Sequence, residues 1–346
     1  MTIGVSTYSH VILLNMKNIL EKLFAGGTLS EPEACETLTR ITTGAVPEAQ
    51  VAGLLAAYRM RPVTTEELLG FRQSLIDSAR PIDLSSFHAI DIVGTGGDGK
   101  NTFNISTCAC FVIAGAGYHV AKHGNFGASS VSGASTVLQQ HGVKFTHDES
   151  RLHRSIEECG VAYLHAPLFH PALGAVGPLR RTLGFKTFFN LLGPLVNPCH
   201  PAAQLLGVAD LVQLRLYRDV LVRLQRPFCV VTSLDGYDEI SLTTDFKVAT
   251  NHGENLFRPD ELGLEHSDAT LLSGGSQAED AAEIFDRVLD GTAEPSQRNT
   301  VLVNAAFGIR LLSQGRSLAE CLDEARVSLE SGRAKARFKH FVEINS

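Results

Sequence analysis

The chain has 346 residues, enough for one or two domains with a full hydrophobic core. Hydrophobic residues make up 44% and charged residues 19% of it, which excludes a disordered tail, a collagen and a coiled coil. The net charge of −7 lacks the basic excess that non-specific binding to nucleic acid or to an anionic membrane surface draws on. No apolar run approaches the ~20 residues of a membrane span. We therefore predict neither a nucleic-acid nor a membrane partner, and note that the chain has no tryptophan.

The seven cysteines are scattered, which offers neither a disulfide framework nor a paired zinc site. This pattern is typical of reduced thiols and predicts a cytoplasmic location. They are Cys35, Cys108, Cys110, Cys159, Cys199, Cys229 and Cys321.

The first structured element is expected at Met16, where an amphipathic helical pattern begins. Residues 1–15 are interpreted as a disordered extension outside the fold. Two capping boxes, Ser30 with Glu33 and Thr64 with Glu67, mark further helix starts before about residue 79. This region predicts a small helical bundle.

After Pro81 short apolar runs alternate with helical segments, which predicts an α/β domain with a largely parallel sheet. A segment rich in Pro, Gly and Arg, residues 167–201, interrupts the alternation. The candidate runs and strands are Ala89–Val93, Phe111–Ala114, Tyr118–Ala121, Val143–Phe145, Val161–Leu164, Phe228–Val231 and Ala269–Leu272.

A glycine-rich loop, residues 94–102, follows the first predicted strand and could converge backbone N–H groups on an anion. A helix starting near Ser106 would add its N-terminal dipole. Gly94, Gly99 and Lys100 match the spacing of a nucleotide P-loop, but Asn101 stands where the magnesium-binding Ser or Thr belongs. The alternative is a tight turn without a ligand.

A second loop, residues 122–133, combines Lys122 with serines and glycines and is another candidate phosphate cradle. Two such loops suggest a ligand with more than one phosphate. We interpret His123 as a structural hydrogen bonder in preference to a catalytic base, because no partner carboxylate lies nearby in the sequence.

A third loop places Asp235, Asp238 and Glu239 close together after a predicted strand. Adjacent carboxylates suit a hard cation such as Mg²⁺, and a solvated acidic turn is the alternative. In a fourth segment, residues 179–198, Arg180 and Arg181 are expected to face different directions on a helix, so at most one would reach a buried carboxylate.

Four motifs in order resemble the anthranilate phosphoribosyltransferase family, over the chain from about Met16 to its C-terminus. They are GTGGDGKNTFNIST at 94–107, KHGN with SSVSG at 122–133, RRTLGFKTFFNLLGPLVNP at 180–198 and DGYDEIS at 235–241.

The resemblance implies an α/β fold of the nucleoside phosphorylase and phosphoribosyltransferase type. A small helical domain, residues 16–86 plus 171–198, would be hinged to a larger α/β domain with a mostly parallel central sheet, residues 87–170 plus 199–346. It also implies a homodimer that uses two Mg²⁺ ions and transfers phosphoribose from 5-phosphoribosyl 1-diphosphate to anthranilate, a step of tryptophan biosynthesis.

The resemblance further implies roles for matching residues. Anthranilate would contact Gly94, Asn125 and Arg180, and the metal would be held by Ser106, Asp238 and Glu239. The phosphoribosyl diphosphate would contact Gly94, Gly97, Asp98, Thr102, Asn104, Ser106, Thr107, Lys122, His123, Gly124, Asn125, Ser129, Ser130 and Ala134.

Two positions depart from the usual family pattern: Phe126 stands where an Arg is common and Ala134 where a Ser is common. We interpret both as changes in substrate affinity that leave activity intact. The alternatives are a pyrimidine-nucleoside phosphorylase, a non-catalytic nucleic-acid binder of the same fold and, least supported, a P-loop ATPase.

Overall fold

A seven-stranded sheet lies at the centre of the computed structural model, which describes residues 15–127, 131–313 and 315–346. The strands follow the order β3-β2-β1-β4-β5-β6-β7, in which β1 to β5 pair in parallel and the β5–β6 and β6–β7 pairings are antiparallel. They are β1 Ile90–Gly94, β2 Val120–Gly124, β3 Val161–His165, β4 Ala203–Gly207, β5 Phe228–Ser233, β6 Phe246–Thr250 and β7 Gly253–Phe257. The predicted α/β class and largely parallel sheet are confirmed.

The strand order reverses direction between β1 and β4, which pair in register from Ile90 opposite Ala203 to Gly94 opposite Gly207. In open parallel sheets, ligands bind outside the carboxyl ends of the strands at such a reversal. The fold therefore directs attention to the ends of these two strands.

Fourteen helices occur in the described ranges. They are α1 Met16–Phe24, α2 Glu31–Thr42, α3 Glu48–Met60, α4 Thr65–Asp77, α5 Ile105–Gly115, α6 Ala134–Gln140, α7 Glu149–Cys159, α8 Ala166–Phe169, α9 Gly177–Leu183, α10 Leu211–Arg223, α11 Ala278–Leu289, α12 Pro295–Leu312, α13 Leu318–Glu330 and α14 Arg333–Asn345. None of them combines the length and apolar character that crossing a membrane would require.

Helices α1 to α4 form the predicted bundle, and both predicted capping boxes are confirmed. Ser30 N donates to Glu33 at 2.8 Å, and Thr64 N donates to Glu67 at 2.9 Å. Asn15 caps α1 by accepting a hydrogen bond from Lys17 N at 3.0 Å, so this residue of the predicted extension belongs to the fold. The rest of that extension, residues 1–14, lies outside the described ranges.

The Glu67 carboxylate is fully buried in the bundle and is held by several donors. It accepts hydrogen bonds from Leu29 N at 2.8 Å, from Tyr58 Oη at 3.0 Å and from both terminal nitrogens of Arg61. Burial alone would raise the pKa of Glu67, but the hydrogen bonds from Arg61, Thr64 and Leu29 hold it below its ordinary value. The carboxylate thus ties the start of α4 to α3 and to the chain before α2.

The segment of residues 171–198 packs its aromatic side chains against this bundle. Phe188 stacks on Phe71 of α4 with ring centroids 4.3 Å apart and on Phe189 at 4.6 Å. Its apolar residues share one buried cluster with α1 to α4 and with one side of the sheet. The domain boundaries given above stay a prediction.

Three of the short apolar runs are not strands. Phe111–Ala114 lies inside α5, Val143–Phe145 is irregular backbone, and Ala269–Leu272 is a 3-10 turn. A short apolar run does not by itself distinguish a strand from a buried helix or loop. Conversely, strands β4, β6 and β7 were not predicted from the sequence. Strand β7 is largely exposed, and its sequence contains no apolar run.

All seven cysteines lie in the described ranges and are free thiols, six of them buried. The expectation of reduced thiols stays a prediction.

Candidate functional site

The glycine-rich loop joins the end of β1 to α5 at the reversal of strand order. Gly96, Gly97 and Gly99 have φ angles of +69°, +82° and +77°, a region that glycine adopts without strain. Asn101 also has a positive φ, of +49°, and its side-chain amide donates to Gly275 O at 2.9 Å. Asn101 therefore acts as a turn residue where a P-loop would place a metal ligand.

The acidic loop, residues 235–241, lies across the ends of β1 and β4. Asp238 accepts a hydrogen bond from Gly96 N at 2.6 Å, and Glu239 accepts one from Ser106 N at 3.0 Å. A Cβ at Gly94 would lie 2.7 Å from the Asp238 carboxylate, and one at Gly207 would lie 1.7 Å from the Asp238 carbonyl oxygen. Both glycines are needed for this close approach, which joins the first and third predicted loops into one site.

The two carboxylates of the acidic loop are poorly compensated by the protein. Burial, together with the nearby charge of Asp98, raises the pKa of Asp238 to about 7. Burial, together with the charges of Asp238 and Asp98, also raises the pKa of Glu239 well above its ordinary value. A bound cation would relieve this repulsion.

The donor set fits a magnesium ion, because Mg²⁺ prefers carboxylate and hydroxyl oxygens and keeps several waters or phosphate oxygens. The described residues contain no group of three His, Cys, Asp or Glu side chains gathered around one metal position. Asp238 and Glu239 are the carboxylates here that could hold such an ion, and the Ser106 hydroxyl stays a predicted ligand.

Lys122 is almost fully buried beneath the loops. Its ammonium donates to Ile92 O at 2.6 Å and to the Ser106 hydroxyl at 3.2 Å, and its charge lowers the pKa of Glu239 against the effect of burial. In this position the positive charge of Lys122 stabilises the ionised form of Glu239 in the acidic loop. Direct contact with phosphate stays a prediction.

The N-terminus of α5 faces the loops, and the predicted helix start near Ser106 is confirmed at Ile105. Asn104 caps the helix by accepting from Thr107 N at 2.9 Å, and its amide donates to Ser132 O at 2.6 Å. The Ser132 hydroxyl in turn donates to Thr102 O. These contacts join the first and second loops.

The Thr107 hydroxyl is buried and has no hydrogen-bond partner among the described residues. Buried polar groups are nearly always satisfied in a functional state. This hydroxyl is therefore available to a bound ligand.

The second loop starts at the end of β2, and its members Ser129 and Ser130 lie outside the described residues. Gly124 packs closely against Tyr163, since a Cβ at this glycine would lie 2.4 Å from Tyr163 Oη. Asn125 is exposed, and Ala134 is the first residue of α6.

His123 Nδ1 lies 3.2 Å from Gly193 O, and burial lowers the pKa of His123 to about 3. The imidazole is thus neutral at physiological pH, as expected for a structural hydrogen bonder.

Phe126 is 45% exposed, with its ring 5.2 Å from His165 and 6.1 Å from Phe145. We expect Phe126→Arg to lower the KM for an anionic substrate about 1.4- to five-fold, because an exposed ion pair contributes about 0.2–1 kcal/mol. Steady-state kinetics of Phe126→Arg beside Phe126→Ala checks this. Equal effects of the two variants would contradict it, since alanine adds no charge.

In the fourth segment Arg180 and Arg181 lie on α9, where Arg180 is half-buried and Arg181 is exposed. The two side chains thus face different directions, as predicted. The Arg180 guanidinium lies 5.1 Å from the centre of the Phe189 ring and donates to Asn190 Oδ1 at 3.3 Å. Burial lowers the pKa of Arg180. Lys186 reaches across to donate to Gly97 O, which brings this segment onto the glycine-rich loop.

Three residues that shape the site were not assigned from the sequence: Gly207, Asn304 and Lys186. Leu205-Leu206-Gly207 ends a strand in the same way as Ile92-Val93-Gly94, a signal that could have identified Gly207. Asn304 lies within α12 and fixes the acidic loop through hydrogen bonds to Ile240 N at 3.2 Å and Ile240 O at 2.9 Å. No sequence pattern marks it.

Two family patterns match the chain. The pattern described as the helical bundle domain of a glycosyl transferase family matches residues 17–79, and the one described as its a/b domain matches residues 86–335.

Relatives and solved structures agree with this match. Anthranilate phosphoribosyltransferase from Phocaeicola vulgatus is 56% identical over 96% of this chain and 100% of its own length. The crystal structure of the enzyme of that name from Thermus thermophilus superposes with a TM-score of 0.88, at 35% identity over 94% of this chain and 98% of that one.

The enzyme of the same name from Saccharomyces cerevisiae, in complex with PRPP and Mg, superposes with a TM-score of 0.86 at 27% identity, over 95% of this chain and 97% of that one. On the identity with the Phocaeicola relative and its nearly complete coverage, this chain belongs to the anthranilate phosphoribosyltransferase family.

Proposed function

We propose that the chain transfers the 5-phosphoribosyl group from 5-phosphoribosyl 1-diphosphate to the amine of anthranilate and releases diphosphate. The observation that carries this is the meeting of three elements at the ends of β1 and β4. The glycine-rich loop contacts the acidic loop through Gly96 and Asp238. It contacts the arginine-bearing segment, residues 179–198, through Gly97 and Lys186. An anion, its counter-cation and a carboxylate-bearing acceptor each find matching groups there.

The diphosphate and ribose phosphate would lie along the first and second loops. Backbone N–H groups at the glycines, the N-terminus of α5 and the unpartnered Thr107 hydroxyl are suitable donors to phosphate oxygens. The residues proposed for this substrate are Gly94, Gly97, Asp98, Thr102, Asn104, Ser106, Thr107, Lys122, His123, Gly124, Asn125, Ser129, Ser130 and Ala134.

We propose two Mg²⁺ ions held by Ser106, Asp238 and Glu239 together with the diphosphate. Bound magnesium would supply positive charge that stabilises the diphosphate as it leaves. The raised pKa values of the two carboxylates support this placement, since a cation would return them to their ionised forms. The yeast relative was solved in complex with PRPP and Mg.

Anthranilate would bind through Arg180, with Asn125 and Gly94 beside it. The half-buried guanidinium suits the carboxylate of anthranilate, because a charge-assisted pair is stronger where water is partly excluded. The yeast relative also has a complex with 4-fluoroanthranilate. The aromatic amine is neutral and nucleophilic, so a bond from its nitrogen to the ribose carbon can form as the bond to diphosphate breaks. The nitrogen then releases one proton to solvent or to the departing diphosphate. The protein then contributes positioning and electrostatics, and no general base is assigned.

The test is a fluorescence assay that mixes the chain, Mg²⁺, the phosphoribosyl diphosphate and anthranilate. We expect anthranilate fluorescence to fall as the product forms, with little background because the chain has no tryptophan. No loss of signal at any Mg²⁺ concentration would overturn the assignment. Phosphorolysis of thymidine without a response to anthranilate would support the pyrimidine-nucleoside phosphorylase instead.

Arg180→Ala is expected to raise the KM for anthranilate roughly 10- to 150-fold, because a hydrogen bond to a charged group contributes about 1.5–3 kcal/mol. The KM for the phosphoribosyl diphosphate should change much less. Initial-rate kinetics with each substrate varied in turn measures both values. Arg181→Ala is the matched control on the same helix, and equal effects of Arg180→Ala on both substrates would count against its role.

We also propose, from the family resemblance, that the chain forms a homodimer and acts in the cytoplasm. Sedimentation equilibrium of the purified chain measures the first, and a single species of monomer mass would contradict it.

A further inference from the structure

Lys186 connects the two substrate sites that the proposed function assigns. It extends its ammonium from the arginine-bearing segment to the carbonyl oxygen of Gly97 in the glycine-rich loop. A Cβ at Gly97 would lie 3.1 Å from Lys186 Nζ and 3.3 Å from Lys186 Cε, so glycine at this position leaves room for the contact. A cation from the anthranilate side of the site therefore lies on the loop proposed for diphosphate.

Hydrogen bonds through Asn190 link the backbone next to Lys186 with Arg180. Lys186 is followed directly by Thr187, whose backbone N–H donates to Asn190 Oδ1 at 3.1 Å. The same Asn190 oxygen accepts from Arg180 Nη2 at 3.3 Å. One side-chain amide thus holds both the backbone beside Lys186 and the guanidinium of Arg180.

A bound anion would give the Lys186 ammonium a stronger acceptor than the Gly97 carbonyl oxygen. In the described structure the Lys186 ammonium is bound by a neutral carbonyl oxygen. A phosphate oxygen is a stronger acceptor for an ammonium, because a hydrogen bond between two charged groups is shorter and roughly twice as strong. Diphosphate on the glycine-rich loop would therefore hold Lys186 and residues 186–190 more firmly than the loop alone.

We propose that Lys186 couples diphosphate binding on the glycine-rich loop to anthranilate binding at Arg180, with Asn190 as the link. Lys186 and Asn190 are positioning residues, since they act through Arg180. Because coupling between two ligands is reciprocal, anthranilate must strengthen diphosphate binding by the same factor. The inference rests on the proposed function for the assignment of the two ligands.

Calorimetric titration of anthranilate, without and with saturating inorganic diphosphate and Mg²⁺, tests the coupling. Inorganic diphosphate carries no ribose, so no turnover occurs during the titration. We expect the wild-type chain to bind anthranilate roughly five-fold or more tightly when diphosphate is present, the lower end of usual coupling factors. A wild-type ratio below about two-fold would overturn the proposal.

Lys186→Met keeps the length of the side chain and removes its charge, so the ratio is expected to fall to near one. Lys186→Arg keeps the charge and should restore most of it. Arg181→Met removes a positive charge from an exposed residue of the same segment and should leave the ratio unchanged. A Lys186→Met ratio equal to that of the wild type would overturn the inference.

Asn190→Ala should abolish the coupling while Lys186 is still present, and retained coupling in this variant would contradict its part as the link. Circular dichroism confirms that each variant is folded. Failure of the proposed function shows separately, as absence of turnover by the wild-type chain with both substrates and Mg²⁺. If the wild-type chain catalyses the reaction but Lys186→Met leaves the coupling unchanged, only the coupling proposal is rejected and the proposed function stands.

Discussion

Replacing Asp238 with Asn and Glu239 with Gln is expected to lower kcat/KM about 10²- to 10³-fold, the usual cost of losing electrostatic stabilisation of a developing charge. The substitutions keep the shape of both side chains and remove the negative charges that we propose hold Mg²⁺. Kinetics over a range of Mg²⁺ concentrations measures the effect, and the apparent magnesium affinity should fall with the rate. An unchanged magnesium response would remove both residues from the metal site.

The same double variant separates loss of function from loss of folding. The two carboxylates are costly in the protein alone, because burial and the nearby charge of Asp98 raise the pKa of both, and the charge of Asp238 further raises that of Glu239. We therefore expect the melting temperature without Mg²⁺ to stay the same or rise. Asp235→Asn is the matched control, since this exposed carboxylate lies in the same loop and accepts from Thr243 Oγ1 at 2.6 Å. Its activity should remain near that of the wild type.

Glu67→Ala is expected to destabilise the chain by about 3–5 kcal/mol, because removing one partner of a buried ion pair leaves the other charge uncompensated. The variant would leave Arg61, Tyr58 Oη and Leu29 N without their shared acceptor. Urea denaturation followed by circular dichroism measures the change. Glu66→Ala is the matched control on the same helix, where an exposed carboxylate pairs with Arg223 at 2.8 Å. A similar loss in both variants would contradict the prediction.

The lowered pKa of Glu67 also determines how its contribution to the free energy of unfolding changes with pH. The folded-state pKa is lowered, so the stabilisation is complete above the unfolded-state value of about 4.3 and is lost as the pH falls through the folded-state value. Acid titration of the wild-type chain should show this loss below about pH 4.3. It should be absent in Glu67→Gln, which carries no titratable group at this position.

Local signals in the sequence were reliable where one residue decides the structure. The capping boxes at Ser30 and Thr64 specify helix starts through contacts three residues apart, and both helices begin there. Glycines after a buried strand likewise located the loop at Gly94. By contrast, the apolar run Phe111–Ala114 fits a strand or a buried helix equally, and only packing against α12 and α14 makes it a helix.

The chemistry of the site was visible in its residue types, but its assembly was not. Gly207 and Asp238 approach because β4 pairs with β5, whose end leads into the acidic loop, and Gly94 joins them because β4 also pairs with β1. Strand β4 was not predicted from the sequence, so neither pairing could be predicted. Lys186 was part of a recognised motif, yet its contact with Gly97 depends on how residues 171–198 fold back over the sheet. Contacts between distant segments depend on the tertiary fold, which residue spacing does not encode.

The packing of residues 171–198 against α1 to α4 has a consequence for synthesis of the chain. Phe188 and its neighbours, which cover Phe71, leave the ribosome about 110 residues after the end of α4, a delay of roughly 6–20 s at about 5–20 residues per second. During that interval the nascent bundle exposes an apolar face whose natural cover has not yet been made. The first helices thus emerge early but complete their packing late, so the nascent bundle needs protection from aggregation during this interval.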